Sequence, residues 1–185
     1  MTIDPNRVGG FPFRKSDPEE RKKNFSEVQQ PYTEEEVMRE ADHCLLCGTP
    51  VCIDACPVLM DVREMTDAAA KGDFKKAHER IRETNPLLGV TGRCCPQLQG
   101  LCEDACVLRW SGQPIGIGLI QRYVADRERR LRDQLQQQEQ ERQEQSDPLV
   151  SISPHAGKKV AVVDAGPAGL AAADLITGYG HTVII

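Results

Sequence analysis

The residues best suited to chemistry in this chain of 185 are its eight cysteines, all of which fall between positions 44 and 106. The first group reads Cys44-x2-Cys47-x4-Cys52-x3-Cys56 with Pro57 directly after it; the second is Cys94, Cys95, Cys102 and Cys106, with Pro96 behind the adjacent pair. Thiolates gathered this densely serve disulfides, zinc or iron–sulfur clusters. The N-terminus has no apolar run flanked by basic residues, and no stretch is long enough to span a bilayer. A reducing, cytoplasmic location is therefore expected, which disfavours disulfides.

Zinc competes, because paired C-x2-C units also build structural zinc sites. Only Cys44 and Cys47 form such a pair. The wider intervals that follow, and the proline after Cys56, suit a loop wrapped around a cube of iron and sulfide. In the related bacterial run C-x2-C-x2-C-x3-C-P, the fourth cysteine crosses to a second cluster. That logic gives Cys44, Cys47 and Cys52 to one [4Fe-4S] cluster and sends Cys56 to another, completed by Cys95, Cys102 and Cys106. The first cluster is then one ligand short, and Cys94 is unassigned. Neighbouring residues on an extended backbone point to opposite sides, so Cys94 and Cys95 are not expected on one cluster. Either Cys94 or a side-chain oxygen further along could close the first, and the spacing alone leaves that choice open. Cys94 otherwise reads as a small buried hydrophobe, the common fate of a free cysteine.

The elements that must position these residues are expected to be helical up to about position 145. Asp17, Pro18, Glu19 and Glu20 open a helix running to Val28, and Thr33 with Glu36 forms a capping box for one that delivers Cys44 and Cys47 at its end. Asp61 opens another, ended near Gly72. Asp73 caps the next, whose Phe74, Ala77 and Ile81 recur at helical spacing until Asn85 and Pro86 stop it. Short loops are expected to present Cys95, Cys102 and Cys106. Trp110, the only tryptophan, is expected in the core. Aromatic content of 4% against 28% charged residues leaves a thin apolar core, so bound clusters would carry part of the folding free energy. The net charge of −5 argues against nucleic acid as a partner. The four histidines lack metal-ligand spacing, and His43 is expected to pack or hydrogen-bond near a cluster.

Several stretches together carry a family resemblance: Arg21 to Val28, Tyr32 to Glu36, the first cysteine group, Gly72 to Phe74, Glu83 to Pro86, Gly92-Arg93 before Cys95-Pro96, Cys102-x3-Cys106-Val107-Leu108, and Pro114 to Gly118 leading into Gln121 to Asp126. The chain resembles the N-terminal iron–sulfur domain of the glutamate synthase small subunit, and of its relatives dihydropyrimidine dehydrogenase and the large subunit of NADH-dependent ferredoxin:NADP oxidoreductase. The resemblance implies that Gln121 is the non-cysteine ligand of the first cluster, a position that is Glu in some members and Gln in dihydropyrimidine dehydrogenase. It further implies that Cys94 stands where relatives have an aliphatic residue, and that the interval from Cys95 to Cys102 is one residue longer than usual. A neutral amide in place of a thiolate makes a cluster one unit less negative, favouring its reduced state.

Beyond Leu119, a helix is expected to carry Gln121 inward and to continue as a solvated, Gln- and Glu-rich stretch from Arg127, followed by an irregular linker around Pro148 and Pro154. Lys159 to Val163 reads as a buried strand, Leu170 to Thr177 as a helix and His181 to Ile185 as a second strand, the opening βαβ of a dinucleotide-binding domain. In the family this region binds FAD through a G-x-G-x-x-G turn. Gly166 and Gly169 hold the second and third positions, but Asp164 stands at the first, placing a carboxylate where a diphosphate would lie.

The expected architecture is mainly α: an α-helical ferredoxin-like domain with two [4Fe-4S] clusters over 1–126, a charged helix and linker over 127–157, and a truncated Rossmann-type βαβ over 158–185. Two strands and one helix cannot close a Rossmann sheet, so FAD is expected only from a partner or a missing portion. The expected function is electron relay between a flavoprotein or oxidoreductase subunit and a ferredoxin-like acceptor. The competing reading is a zinc-binding or metal-free interaction protein docking on a partner.

Overall fold

The computed structural model describes residues 15–97, 99–144 and 157–185. It is mainly helical, with one small parallel sheet, and falls into two compact units divided between Glu128 and Arg129. Helices α1 (Pro18–Arg21), α2 (Glu34–Asp42), α3 (Val51–Asp54), α4 (Val62–Ala70), α5 (Phe74–Arg82), α6 (Leu88–Cys94), α7 (Cys102–Ala105) and α8 (Ile117–Glu144) are followed by β1 (Lys159–Ala161), α9 (Pro167–Gly178) and β2 (Thr182–Ile184).

In the first unit the helix starts follow the capping residues. Thr33 and Glu36 close a reciprocal capping box on α2, while the Asp61 and Asp73 side chains accept from Glu64 N and Lys76 N to cap α4 and α5. Helices α2, α4 and α5 pack through Val37, Ala41, Met65, Ala69, Ala77 and Ile81. The first turns of α8 are buried on every side as far as Ala125, mostly by small and aliphatic residues, while Gln121, Arg122 and Tyr123 are buried with hydrogen-bond partners at Leu88 O, Glu27 and Glu34. Buried carboxylates serve the orphan N–H groups there: Glu40 Oε1 accepts from Gly116 N at 2.7 Å and Glu103 Oε1 from Gly118 N at 2.8 Å. Burial lifts the Glu103 carboxyl to about 7, against the pull of the Gly118 N–H and with the Glu40 charge adding to the rise.

The helix expected from Asp17 to Val28 ends after a single turn. Phe25 is fully exposed, so a longer helix would have no apolar face to bury. Asn24 instead accepts from Ser26 N and donates to Glu20 O, making a turn. Glu27 reaches across to Arg93 and Arg122, and Arg93 also grips both oxygens of Asp126. Tertiary ion pairs thus win over local helix signals. Trp110, expected in the core, is 89% exposed in a 3₁₀ turn, Val107–Ser111, which Gly112 closes at φ 80°.

In the second unit β1 and β2 pair in parallel, Val160 opposite Val183, with α9 as the crossover. The strand expected to be buried is not: Lys159 and Ala161 are exposed and Val163 is 96% exposed, because a two-stranded sheet with one helix leaves much of its surface open. Residues 127–138 of α8 become progressively exposed, and the linker expected around Pro148 and Pro154 lies outside the described residues. Among the described residues no helix is long and apolar enough to cross a membrane.

Candidate iron–sulfur centres

All eight cysteines are free thiols, and seven of them surround two cavities in the first unit. Helix α2 ends at Asp42 and its cap His43, itself exposed, hands the chain to Cys44. The loop to Cys47 is tight. Leu46 within it takes φ 47°, a left-handed conformation unfavourable for a bulky residue, and its backbone N–H favours the Cys44 thiolate against the rise that burial imposes. Cys44, Cys47 and Cys52 line the first cavity together with Cys106. Its remaining wall is largely aliphatic, including Val51, Val62, Ile115 and Ile117.

The second cavity is lined by Cys56, Cys95, Cys102 and Gln121, with Asn85, Thr91 and Gln97 among its other residues. It encloses about 130 Å³, the first about 30 Å³. Burial pushes the Cys44 and Cys95 thiols up, Cys52 to about 11, and Cys102 strongly upward. Loading either cavity with metal must therefore release protons. Among the described residues no three His, Cys, Asp or Glu side chains group closely enough for a single ion; the thiols range around a space.

The two cavities group these residues differently from the division expected from the sequence: Cys106 lines the space shared by Cys44, Cys47 and Cys52, and Gln121 that shared by Cys56, Cys95 and Cys102. The cause is a matched pair of one-turn helices. Cys52 sits in α3 and Cys56 just beyond it, Cys102 opens α7 and Cys106 follows it, and α3 packs against α7. Each Cys-x3-Cys unit therefore straddles one turn and sends one thiol to each cavity. The crossover was legible for Cys56 because a proline follows it; Cys106 carries no such mark.

Cys94, expected to be buried, is exposed. Helix α6 buries Leu88 and Gly92, and a residue two positions beyond Gly92 lies about 200° further round the helix. Cys95 leaves the helix in an extended conformation, ψ 129°, and joins the second cavity. Gln121 is 5% exposed and could not be a solvated helix residue. Sequence reasoning passed over Asn85 and Thr91 as members of this wall, although Asn85 was marked as a helix stop.

In the second unit Asp164 adopts φ 127°, a region that favours glycine. Its Oδ1 accepts from Gly166 N at 2.9 Å, so the carboxylate takes an N–H that a dinucleotide fingerprint offers to phosphate. A side chain on Gly169 would strike Asp164 O, so the close backbone approach of the turn is kept.

A helical unit in which seven free cysteines line two cavities defines a thiol-rich metal-binding frame, as opposed to one stapled by disulfides. The family described as dihydropyrimidine dehydrogenase domain II, 4Fe-4S cluster, matches residues 21–133, and the chain belongs to it. It is 36% identical over 165 residues to the glutamate synthase [NADPH] small chain of Escherichia coli K12, covering 89% of this chain and 32% of that protein. The Bacillus subtilis glutamate synthase [NADPH] small chain is 33% identical over 181 residues, 91% of this chain and 33% of its own length. The E. coli NAD-dependent dihydropyrimidine dehydrogenase subunit PreT is 35% identical over 161 residues, 87% of this chain and 35% of its own length. The chain thus spans about a third of the length of these relatives. It is an iron–sulfur domain of the electron-transfer type found in glutamate synthase small-subunit-like oxidoreductases.

Proposed function

We propose that the chain relays single electrons through two [4Fe-4S] clusters, as part of an NAD(P)H-linked flavoprotein oxidoreductase of glutamate synthase small-subunit type. Cys44, Cys47, Cys52 and Cys106 hold one cluster; Cys56, Cys95, Cys102 and Gln121 hold the other. The observation that carries this reading is the exchange of thiols at α3 and α7, which gives each cavity four donors and neither a surplus.

A bound [4Fe-4S] cluster supplies reversible one-electron transfer. The aliphatic side chains around Cys44 and Cys106 keep water from the first site, which tunes its potential along with the nearby Leu46 N–H dipole. Gln121 contributes no charge to the second. In this reading 1–126 form the cluster domain, 127–157 connect it and 158–185 open a flavin domain, while the FAD itself comes from a partner or from sequence outside these residues. Asp164 makes Gly166 and Gly169 a poor diphosphate site by themselves. The partners are a flavoprotein or oxidoreductase subunit and a ferredoxin-like acceptor.

Anaerobic purification followed by iron and acid-labile sulfide analysis tests the proposal. About eight iron per chain is expected for two cubane clusters. Stoichiometric zinc without sulfide would overturn it in favour of a structural zinc protein.

A further inference from the structure

The amide of Gln121 has two ends that differ chemically, since only its oxygen can act as a ligand. Nε2 donates to Leu88 O at 3.1 Å and to Thr91 Oγ1 at 2.6 Å. Thr91 Oγ1 in turn donates to Leu87 O at 3.3 Å and accepts from Asn85 Nδ2 at 2.8 Å. A hydroxyl has one proton and two lone pairs, so that of Thr91 is fully used. Turning the amide over would set Oε1 against a carbonyl oxygen and against a hydroxyl with no proton left to give. The nitrogen is therefore held against α6, and the oxygen is the end left for the second cavity, which Gln121, Thr91 and Asn85 all line.

We propose that Thr91, held by Asn85, is a positioning residue that fixes the rotation of the Gln121 amide and so presents Oε1 as the fourth donor of the second cluster. This rests on the reading of Gln121 as a ligand. The device is needed because an amide, unlike a thiolate or carboxylate, has a wrong end. Gly92 contributes by bringing α6 close: a Cβ there would stand 3.0 Å from the Arg122 backbone, next to Gln121.

Three variants test the lock in reconstituted protein by electron paramagnetic resonance of the reduced form, midpoint potentials and iron content. Thr91→Val keeps the shape but removes both acceptor lone pairs; it is expected to change the resonance and shift the potential of one cluster of the two. Thr91→Ser keeps the hydroxyl and is expected to behave as the unaltered protein. In a Gln121→Glu background, where either oxygen can ligate, adding Thr91→Val is expected to change nothing further. A Thr91→Val protein identical to the parent, altered in both clusters, or altered equally in the Glu background overturns the lock. Gln121→Ala separates this from failure of the underlying reading. If it leaves both clusters intact, Gln121 is not a ligand; if it perturbs one while Thr91→Val is silent, the lock alone is wrong.

Discussion

The first cavity is walled by four thiols and mostly aliphatic side chains, whereas the second sets three thiols, an amide and the polar groups of Asn85, Thr91 and Gln97 among apolar residues such as Val58, Met60 and Leu101. Both draw on the same pair of one-turn helices, so the difference lies in what completes each set. The first is completed by a thiol that α7 delivers, the second by a side chain from the long helix α8. For the first, the packing of α7 on α3 suffices. For the second, the position of α8 against α6 must also be right, and the buried carboxylates of Glu40 and Glu103 and the ion pairs of Glu27, Arg93, Arg122 and Asp126 all act on that position. One unit of charge also separates the two sites when each holds a cluster of the same kind.

Removing a ligand should break this contrast most severely. Cys106→Ala is expected to take iron from about eight to about four per chain with loss of the first cluster, and Cys102→Ala to give the same iron loss with the other resonance missing. If the two variants lose the same resonance, the exchange of thiols is wrong. Next in size is Gln121→Cys, which should make the second site as negative as the first and lower its midpoint potential, measured by protein-film voltammetry. A rise would show that charge does not set the difference.

A smaller effect is expected from acid. The hydrogen bond from Arg93 is the largest influence on Glu27, with the nearby Arg122 charge adding to it, and the carboxyl is held below its ordinary value of 4.5. A depressed folded pKa stabilises above the unfolded value and is lost as pH falls through the folded one. Below pH 4.5 the Glu27 clamp should therefore release, raising hydrogen exchange in α6 before α2 or α4. Equal protection in all three helices would remove the clamp from the account. The smallest expected effect is that of Cys94→Ala, which should leave both resonances unchanged because the side chain faces solvent.

Much of the fold could be read from capping residues. Thr33, Asp61 and Asp73 each announce a helix through a local hydrogen bond that needs no tertiary partner. Membership of the iron–sulfur family was equally legible, because the short stretches between Arg21 and Asp126 that carry it, the cysteine group among them, are each local. Three things were not. A single helical turn such as α3 or α7 is shorter than any periodic pattern, so the fork at Cys102 and Cys106 left no trace. The Glu27 clamp joins residues far apart in the chain and overrode the helix signals around it. Trp110 and Cys94 were placed inside by the average habits of their residue types, whereas the turn at Gly112 and the phase of α6 put them outside.

The exchange of thiols across α3 and α7 has a further consequence for assembly. On the proposed ligand sets, a cluster in the first cavity would close a loop between Cys52 and Cys106, and one in the second a loop between Cys56 and Gln121. Each span contains most of the other, so the two closures are interleaved along the chain. As a cross-link, either would remove about 4 kcal/mol of conformational entropy from the unfolded chain. Neither site can be finished by an early-made portion of the polypeptide, since the last donor of one lies at Cys106 and of the other at Gln121. Cofactor insertion would then be the step that fastens the fold, and a chain cut anywhere between Cys56 and Cys95 would lose the covalent continuity of both loops at once.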